Sequence, residues 1–319
     1  MTVFLVIIGL ALILIGANFL TEGASDLAKR MRVSEFVIGL TIVAMGTSMP
    51  EFVVSFMSAL EGNADIAVGN IVGSNLFNVL FILGVTALLV PLRYTRDNLK
   101  KDIPFGILGS VVLFIVASDT LIEGTATNTI SRSEGILMLG FFAVFMIYTI
   151  YSAQGPRHNR RKKEPLRIKR PLWLSLLMVA GGLGGLIYGG DLFLDNAVLL
   201  AERMGISQSV IAVTLLAGGT SLPELSASLV SALKKKPGMA LGNVIGSNIF
   251  NIFFILGASA TVSPLTTGGI IPADMLAVIG SSVLLALCAY LFRKAAIDRT
   301  EAVIFLLIYV AYIYWLLHR

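Results

Sequence analysis

The sequence predicts an all-α membrane protein of ten transmembrane helices, arranged as two inverted-topology five-helix repeats. Three observations carry that prediction. First, 56% of the 319 residues are hydrophobic and 13% charged, with a mean hydropathy of +0.87, too apolar for a water-soluble globule. Second, one 51-residue block occurs twice without a gap, Ser34 to Gly84 and Ser207 to Gly257, about half of its positions identical. Third, apolar stretches of near-spanning length, on the order of 20 residues, recur along the chain, and Lys and Arg concentrate in alternate gaps between them.

The stretches fall at about 2–28, 35–60, 66–90, 103–121, 133–152, 172–200, 208–233, 239–262, 273–292 and 300–317. The first lacks a basic leader and a small-residue cleavage site and runs on into Glu22 and Asp26, which fits a retained helix better than a signal peptide. The second carries GTSMPE, Gly46 to Glu51, where Pro50 removes a donor and clashes with the Gly46 carbonyl. A kink should follow, releasing carbonyl oxygens between Ala44 and Thr47. The third carries GNIVGSNLFN, Gly69 to Asn78, and the fourth and fifth are plain apolar spans. The sixth is glycine-rich, with Gly181 to Gly185 and Gly189 to Gly190, and suits close packing or sliding. GTSLPE, Gly219 to Glu224, and GNVIGSNIFN, Gly242 to Asn251, sit in the seventh and eighth. Cys288 in the ninth stands alone, so no internal disulfide is available.

Five stretches per half is an odd number of crossings, so the second half enters the membrane upside down relative to the first. The boundaries are 1–151, a basic linker at 152–171, and 172–319. If the linker faces the cytoplasm, that side collects 21 of the 24 Lys and Arg residues, leaving Arg132, Arg203 and Arg319 outside with both termini. The chain is then a multi-pass protein of the inner or plasma membrane. The +5 net charge reflects topology, and the basic loop needs no nucleic-acid partner.

Among 19 acidic residues, Glu51 and Glu224 alone fall deep within the apolar stretches. An ionised carboxylate at the bilayer centre costs about 3 kcal/mol or more. No basic residue lies at that depth, so a bound cation or protons must compensate. Around each glutamate the repeat places hydroxyls and carbonyls: Ala44, Thr47 and Ser48, with Ser74 and Asn78 from the next span, then Ala217, Thr220, Ser221, Ser247 and Asn251. Such hard oxygens suit Ca2+ and Na+. Asn70, Asn75, Asn243 and Asn248 read equally well as ligands or as bonds between helices. Gly69, Gly73, Gly242 and Gly246 read as close-packing positions.

These paired motifs resemble the alpha-repeats of the sodium/calcium exchangers in the cation/calcium antiporter superfamily, most closely the compact prokaryotic members. The likeness spans essentially the whole chain. It implies that Glu51 and Glu224 bind Ca2+ with the main-chain carbonyls of Thr47 and Thr220. It implies sodium sites at Ala44, Thr47, Ser48 and Ser247 on one side, at Ala217, Thr220, Ser221 and Ser74 on the other, and a middle position beside Asn78 and Asn251. Better-known members carry Asp where this chain has Asn251, so the site here is more symmetric and one acid poorer.

By that resemblance Ca2+ and Na+ are the transported substrates, about three Na+ for one Ca2+, with protons as competitors, the lipid bilayer as surroundings and a monomer as the working unit. No organic cofactor is expected, and no enzymatic activity. Both histidines, His158 and His318, lie outside the spans, and no Lys accompanies an intramembrane Ser, so a buried hydrolase lacks its base. Ca2+/H+ antiport is the nearest rival, K+-dependent exchange a variant, and a channel the third reading.

Overall fold

The computed structural model describes residues 2–95, 98–153, 170–204, 217–291 and 296–318. Its helices are α1 (Thr2–Met31), α2 (Glu35–Thr47), α3 (Met49–Leu60), α4 (Ala64–Leu89), α5 (Ile103–Val116), α6 (Asp119–Ile122), α7 (Arg132–Ala153), α8 (Leu172–Arg203), α9 (Ala217–Gly219), α10 (Leu222–Leu233), α11 (Pro237–Val262), α12 (Pro272–Leu291) and α13 (Arg299–Leu317). The chain is an all-α membrane protein. Among the described residues α1, α4, α7, α8, α11 and α13 are long and apolar enough to cross a bilayer, and α2 with α3 forms a seventh, broken candidate.

A described helix lies in each of the ten predicted stretches. Helix α5 ends at Val116 instead of running to 121, because Ser118 leaves helical geometry (φ −132°, ψ 38°) before α6 restarts. Its 14 residues follow directly on a π-helical turn, Asn98–Asp102, that carries Lys100, Lys101 and Asp102. Helix α10 has 12 residues, and its predicted upstream part at 208–216 lies outside the described residues. Helix α12, Pro272–Leu291, has 20 residues and rises about 30 Å. Most of the predicted linker, residues 154–169, is likewise outside the described part.

Burial sorts the helices into a centre and a periphery. In α4 and α11, 78% and 94% of the most apolar window is buried, against 28% or less in α1, α7, α8 and α13. The peripheral helices turn large apolar side chains outward, among them Phe4, Ile7, Trp173, Leu176, Ile147 and Leu307, as a lipid-facing surface requires.

Helices α1 and α8 run antiparallel and pack backbone to backbone. A Cβ added at Gly9 would lie 2.9 Å from the Gly189 carbonyl, one at Gly16 2.8 Å from that of Gly182, and one at Gly23 2.7 Å from that of Ser175. Small residues seven apart on each helix thus form one continuous seam. At one end of that seam Arg170 pairs with Glu22 at 3.1 Å and with Asp26 at 3.0 Å, and Lys234 reaches Glu22 at 2.8 Å. Lys29 adds a looser pair with Asp26 at 3.6 Å, and Arg30 donates to the Arg170 carbonyl.

Contacts repeat at the sequence offset of 173 within the duplicated block, and equivalent contacts continue past it. The turn after α3 has Gly62 at φ +79°, and its counterpart after α10 has Lys235 at φ +62°. Each turn closes with the same bond from the next residue, Asn63 N–H to Ser58 at 2.8 Å and Lys236 N–H to Ser231 at 2.9 Å, which ends both helices alike. Phe77 stacks on Phe81 and Phe250 on Phe254, each pair at 4.7 Å. Two short antiparallel ribbons, unforeseen from the sequence, obey the same pairing. In one, β1 (Leu92–Arg93) sets Leu92 opposite Ile297 of β4 (Ala296–Ile297); in the other, β2 (Asn128–Ile130) sets Ile130 opposite Leu265 of β3 (Leu265–Thr267).

Candidate functional site

The site begins at two breaks in the helical ladder. Helix α2 meets α3 at 47°, with Ser48 at the corner (φ −81°, ψ 11°) and Pro50 in the first turn of α3. In the other repeat Ser221 (φ −89°, ψ 10°) stands between α9 and α10, again followed by a proline, Pro223. The kink is where the proline predicts it, but the Ala44 carbonyl is not released. The chain departs from the helix only at Ser48, so the Ser48 N–H still reaches Ala44 at 3.0 Å. A second lone pair on that oxygen is approached by the Thr47 hydroxyl at 3.3 Å.

Starting each of α3 and α10 at a corner aims its glutamate inward. Glu51 and Glu224 are both fully buried. Their Oε1 atoms are held by the opposite repeat: Ser221 Oγ donates to Glu51 at 2.8 Å, and Ser48 Oγ donates to Glu224 at 2.8 Å. Ser74 Oγ lies 3.2 Å from Ser221 Oγ and approaches Glu51 Oε1 at 3.5 Å. The two carboxylates are near enough to interact electrostatically. Residues 170 or more positions apart thereby form one buried cluster.

Each Oε2, by contrast, has no hydrogen-bond partner, and neither do Asn78 Oδ1, Asn251 Oδ1 and Ser247 Oγ. Among the described residues four other acids are also buried, but each has a donor: Arg170 for Asp26, Asn98 for Asp102, Ile271 N–H and Tyr312 for Asp274, and Asp298 N–H for Glu301. Burial does not single out Glu51 and Glu224; their unpartnered oxygens do. An orphaned buried acceptor costs about 1–3 kcal/mol, more when charged. These oxygens are therefore poised to take a cation.

Not every predicted residue points as expected. The hydroxyls of Thr47 and Thr220 are engaged by asparagines, Thr47 with Asn243 Oδ1 at 3.2 Å and Thr220 with Asn70 Oδ1 at 3.4 Å. The helix breaks between each threonine and its glutamate, leaving the main chain of each threonine as what it can offer. Asn78 and Asn251 are linked to the facing span through Asn78 Nδ2 to Asn248 Oδ1 at 2.9 Å and Asn251 Nδ2 to Asn75 Oδ1 at 3.2 Å. Ala217 opens α9, and its side chain lies outside the described part. Close packing holds for Gly242 and Gly246, whose added Cβ atoms would collide with the carbonyls of Phe36 and Leu40. The equivalent neighbours of Gly69 and Gly73, at 209–213, are outside the described residues.

Two buried serines escaped the sequence reading. Ser55 and Ser228 accept from Asn70 at 2.9 Å and from Asn243 at 3.0 Å. They sit four residues after the glutamates in both repeats, and that shared spacing was the available signal.

A family model described as sodium/calcium exchanger protein matches residues 1–151 and 174–318. The chain belongs to the sodium/calcium exchanger family. It is 31% identical to the sodium/calcium exchanger MaX1 of Methanosarcina acetivorans, with 97% of this chain and 96% of that one aligned. It is 36% identical to CaxA of Alkalimonas amylolytica, provisionally named an antiporter, over 99% and 98% of the two chains. The solved sodium-calcium exchanger NCX_Mj, soaked with zero Na+ and Ca2+, superposes with a TM-score of 0.83 at 31% identity, covering 99% and 98%. As an exchanger-family protein the chain is an antiporter and not an enzyme in the usual sense. Its buried cluster, two carboxylates amid hydroxyl and amide oxygens, has the donor chemistry that hard cations prefer.

Proposed function

We propose that the chain exchanges Na+ for Ca2+ across the cell membrane by alternating access, with Glu51 and Glu224 as the shared centre of one ion cage. The observation that carries the reading is the pair of fully buried glutamates, each bonded through Oε1 to the other repeat and each with an unpartnered Oε2. Both Oε2 atoms, the carbonyls of Thr47 and Thr220, and the side-chain oxygens of Asn78 and Asn251 supply the six or so ligands Ca2+ favours. Na+ occupies the same cage together with Ser48, Ser221, Ser74 and Ser247, the Ala44 carbonyl being already engaged by the Ser48 N–H and the Thr47 hydroxyl. The names of MaX1 and NCX_Mj support sodium and calcium as the pair exchanged.

The ten stretches then cross as two inverted five-helix repeats, 1–151 and 172–319, with 152–171 cytoplasmic and both termini external. The antiparallel pairing of α1 with α8 and the recurrence of equivalent contacts in the two halves support that arrangement. The cytoplasmic side is supported by the cluster at which Lys29, Arg170 and Lys234, from three basic segments, meet around Glu22 and Asp26.

Exchange follows from the electrostatics. An empty cage leaves two carboxylates unpaired in low dielectric, so the unloaded protein does not cross over and one ion must replace the other. With Asn at both 78 and 251, the two glutamates supply a formal charge that one Ca2+ neutralises. Three Na+ per Ca2+ moves one net charge per cycle, so about 2.3 kcal/mol per 100 mV assists Ca2+ extrusion.

The test uses proteoliposomes loaded with Na+ and diluted into Na+-free buffer with labelled Ca2+. Uptake driven by the Na+ gradient and stimulated by an inside-positive potential is expected. Uptake driven only by an outward H+ gradient would replace the proposal with Ca2+/H+ antiport.

A further inference from the structure

Asn70 of α4 and Asn243 of α11 occupy the same place in the two repeats and make the same three bonds. Asn70 Nδ2 donates to the Glu51 carbonyl at 3.2 Å and to Ser55 Oγ at 2.9 Å, while its Oδ1 accepts from the Thr220 hydroxyl at 3.4 Å. Asn243 Nδ2 donates to the Glu224 carbonyl at 3.3 Å and to Ser228 Oγ at 3.0 Å, while its Oδ1 accepts from the Thr47 hydroxyl at 3.2 Å. We infer that these two asparagines are positioning residues that set the geometry of the ion cage and couple its two halves, and that they do not themselves touch the ions.

The chemistry of the amide fits that role. Both of its ends are engaged, so in this arrangement neither asparagine has a side-chain oxygen directed to a cation. The donor end fixes the first turn of the helix that carries its own repeat's glutamate, and with it the direction of the carboxylate. Ser55 reinforces this by passing its proton to the Ala67 carbonyl at 3.1 Å, which leaves its oxygen to accept from Asn70. The acceptor end holds a threonine of the other repeat at the helix break, fixing the rotamer of that residue. An asparagine serving only to glue helices would need one such bond; here all three partners lie in the duplicated first motif or one turn beyond its glutamate, and the set occurs twice. Groups that orient ligands without contacting the ion typically change metal affinity about 10- to 100-fold when removed.

The inference rests on the cage proposed above and predicts an affinity effect that packing alone does not produce. Ca2+ binding to the purified full-length chain would be measured calorimetrically in Na+-free buffer, alongside thermal unfolding without Ca2+. Asn70→Ala and Asn243→Ala are each expected to weaken Ca2+ binding about 10- to 100-fold, and by similar factors. Thr220→Val, which removes only the hydroxyl that Asn70 receives, should weaken it in the same direction, and Thr220→Ser should recover most of that loss. Wild-type Ca2+ affinity in Asn70→Ala or Thr220→Val, with only the melting temperature lowered, would overturn the positioning role. The threonine pair keeps the test decisive if the asparagine variants do not fold. Glu51→Gln serves as the separate control: unchanged Ca2+ affinity there would overturn the cage itself, whereas lost binding in Glu51→Gln with wild-type binding in Asn70→Ala overturns this inference alone.

Discussion

Two serines decide how the glutamates of this site are presented. Ser48 and Ser221 each stand at a helix corner and donate across the repeats, so each carboxylate keeps one oxygen occupied and the other unpartnered. A hydrogen bond to a charged group is worth about 1.5–3 kcal/mol. Ser48→Ala and Ser221→Ala should therefore each weaken Ca2+ affinity about 10- to 100-fold, to similar extents, in an equilibrium binding assay. A loss confined to one of them would contradict the symmetry of the site. At this scale the sequence was informative about which residues matter, because carboxylates at equivalent positions in two apolar spans have no other ready explanation. It was less informative about direction. The threonine hydroxyls turn to the asparagines because the helix breaks one residue after Thr47, and a face argument that assumes an unbroken helix cannot anticipate that.

At the scale of elements, the seam between α1 and α8 is the tightest feature outside the site. The glycines of the sixth stretch were legible as packing residues. Their register against Gly9, Gly16 and Gly23 depends on an antiparallel crossing that no local pattern reveals. With backbones in contact along the seam, α1 and α8 are held together as one unit. A Cβ at Gly182 would sit 2.5 Å from the Leu20 nitrogen. Gly182→Ala and Gly16→Ala should thus cost about 1–3 kcal/mol, read as a lower melting temperature in detergent. Gly184→Ala, where the added carbon meets no described heavy atom within 4 Å, should leave the melting temperature unchanged or raise it slightly. Equal losses at all three positions would place the seam elsewhere. The short ribbons β1–β4 and β2–β3 were not foreseen because strands of two or three residues carry too little pattern to stand out from loop.

For the whole molecule, the duplicated block was readable at once as two copies of one unit, and the structure extends that equivalence beyond the block. Gly84 lies against Ala302, and Gly257 against Gly135, so the last helix of each half packs on the third helix of the other. The offset changes from 173 to 167 across the intervening loops, and sequence identity between the last helices is too low to register it. Two halves that exchange helices, serine donors and asparagine braces in this way should form one ion site and not two. Ca2+ stoichiometry measures that claim most directly. Calorimetry on the wild-type chain should give one high-affinity Ca2+ per molecule, displaced competitively by Na+, with Glu51→Gln and Glu224→Gln each abolishing it. Two Ca2+ per molecule, with each single substitution removing one and sparing the other, would contradict a shared cage.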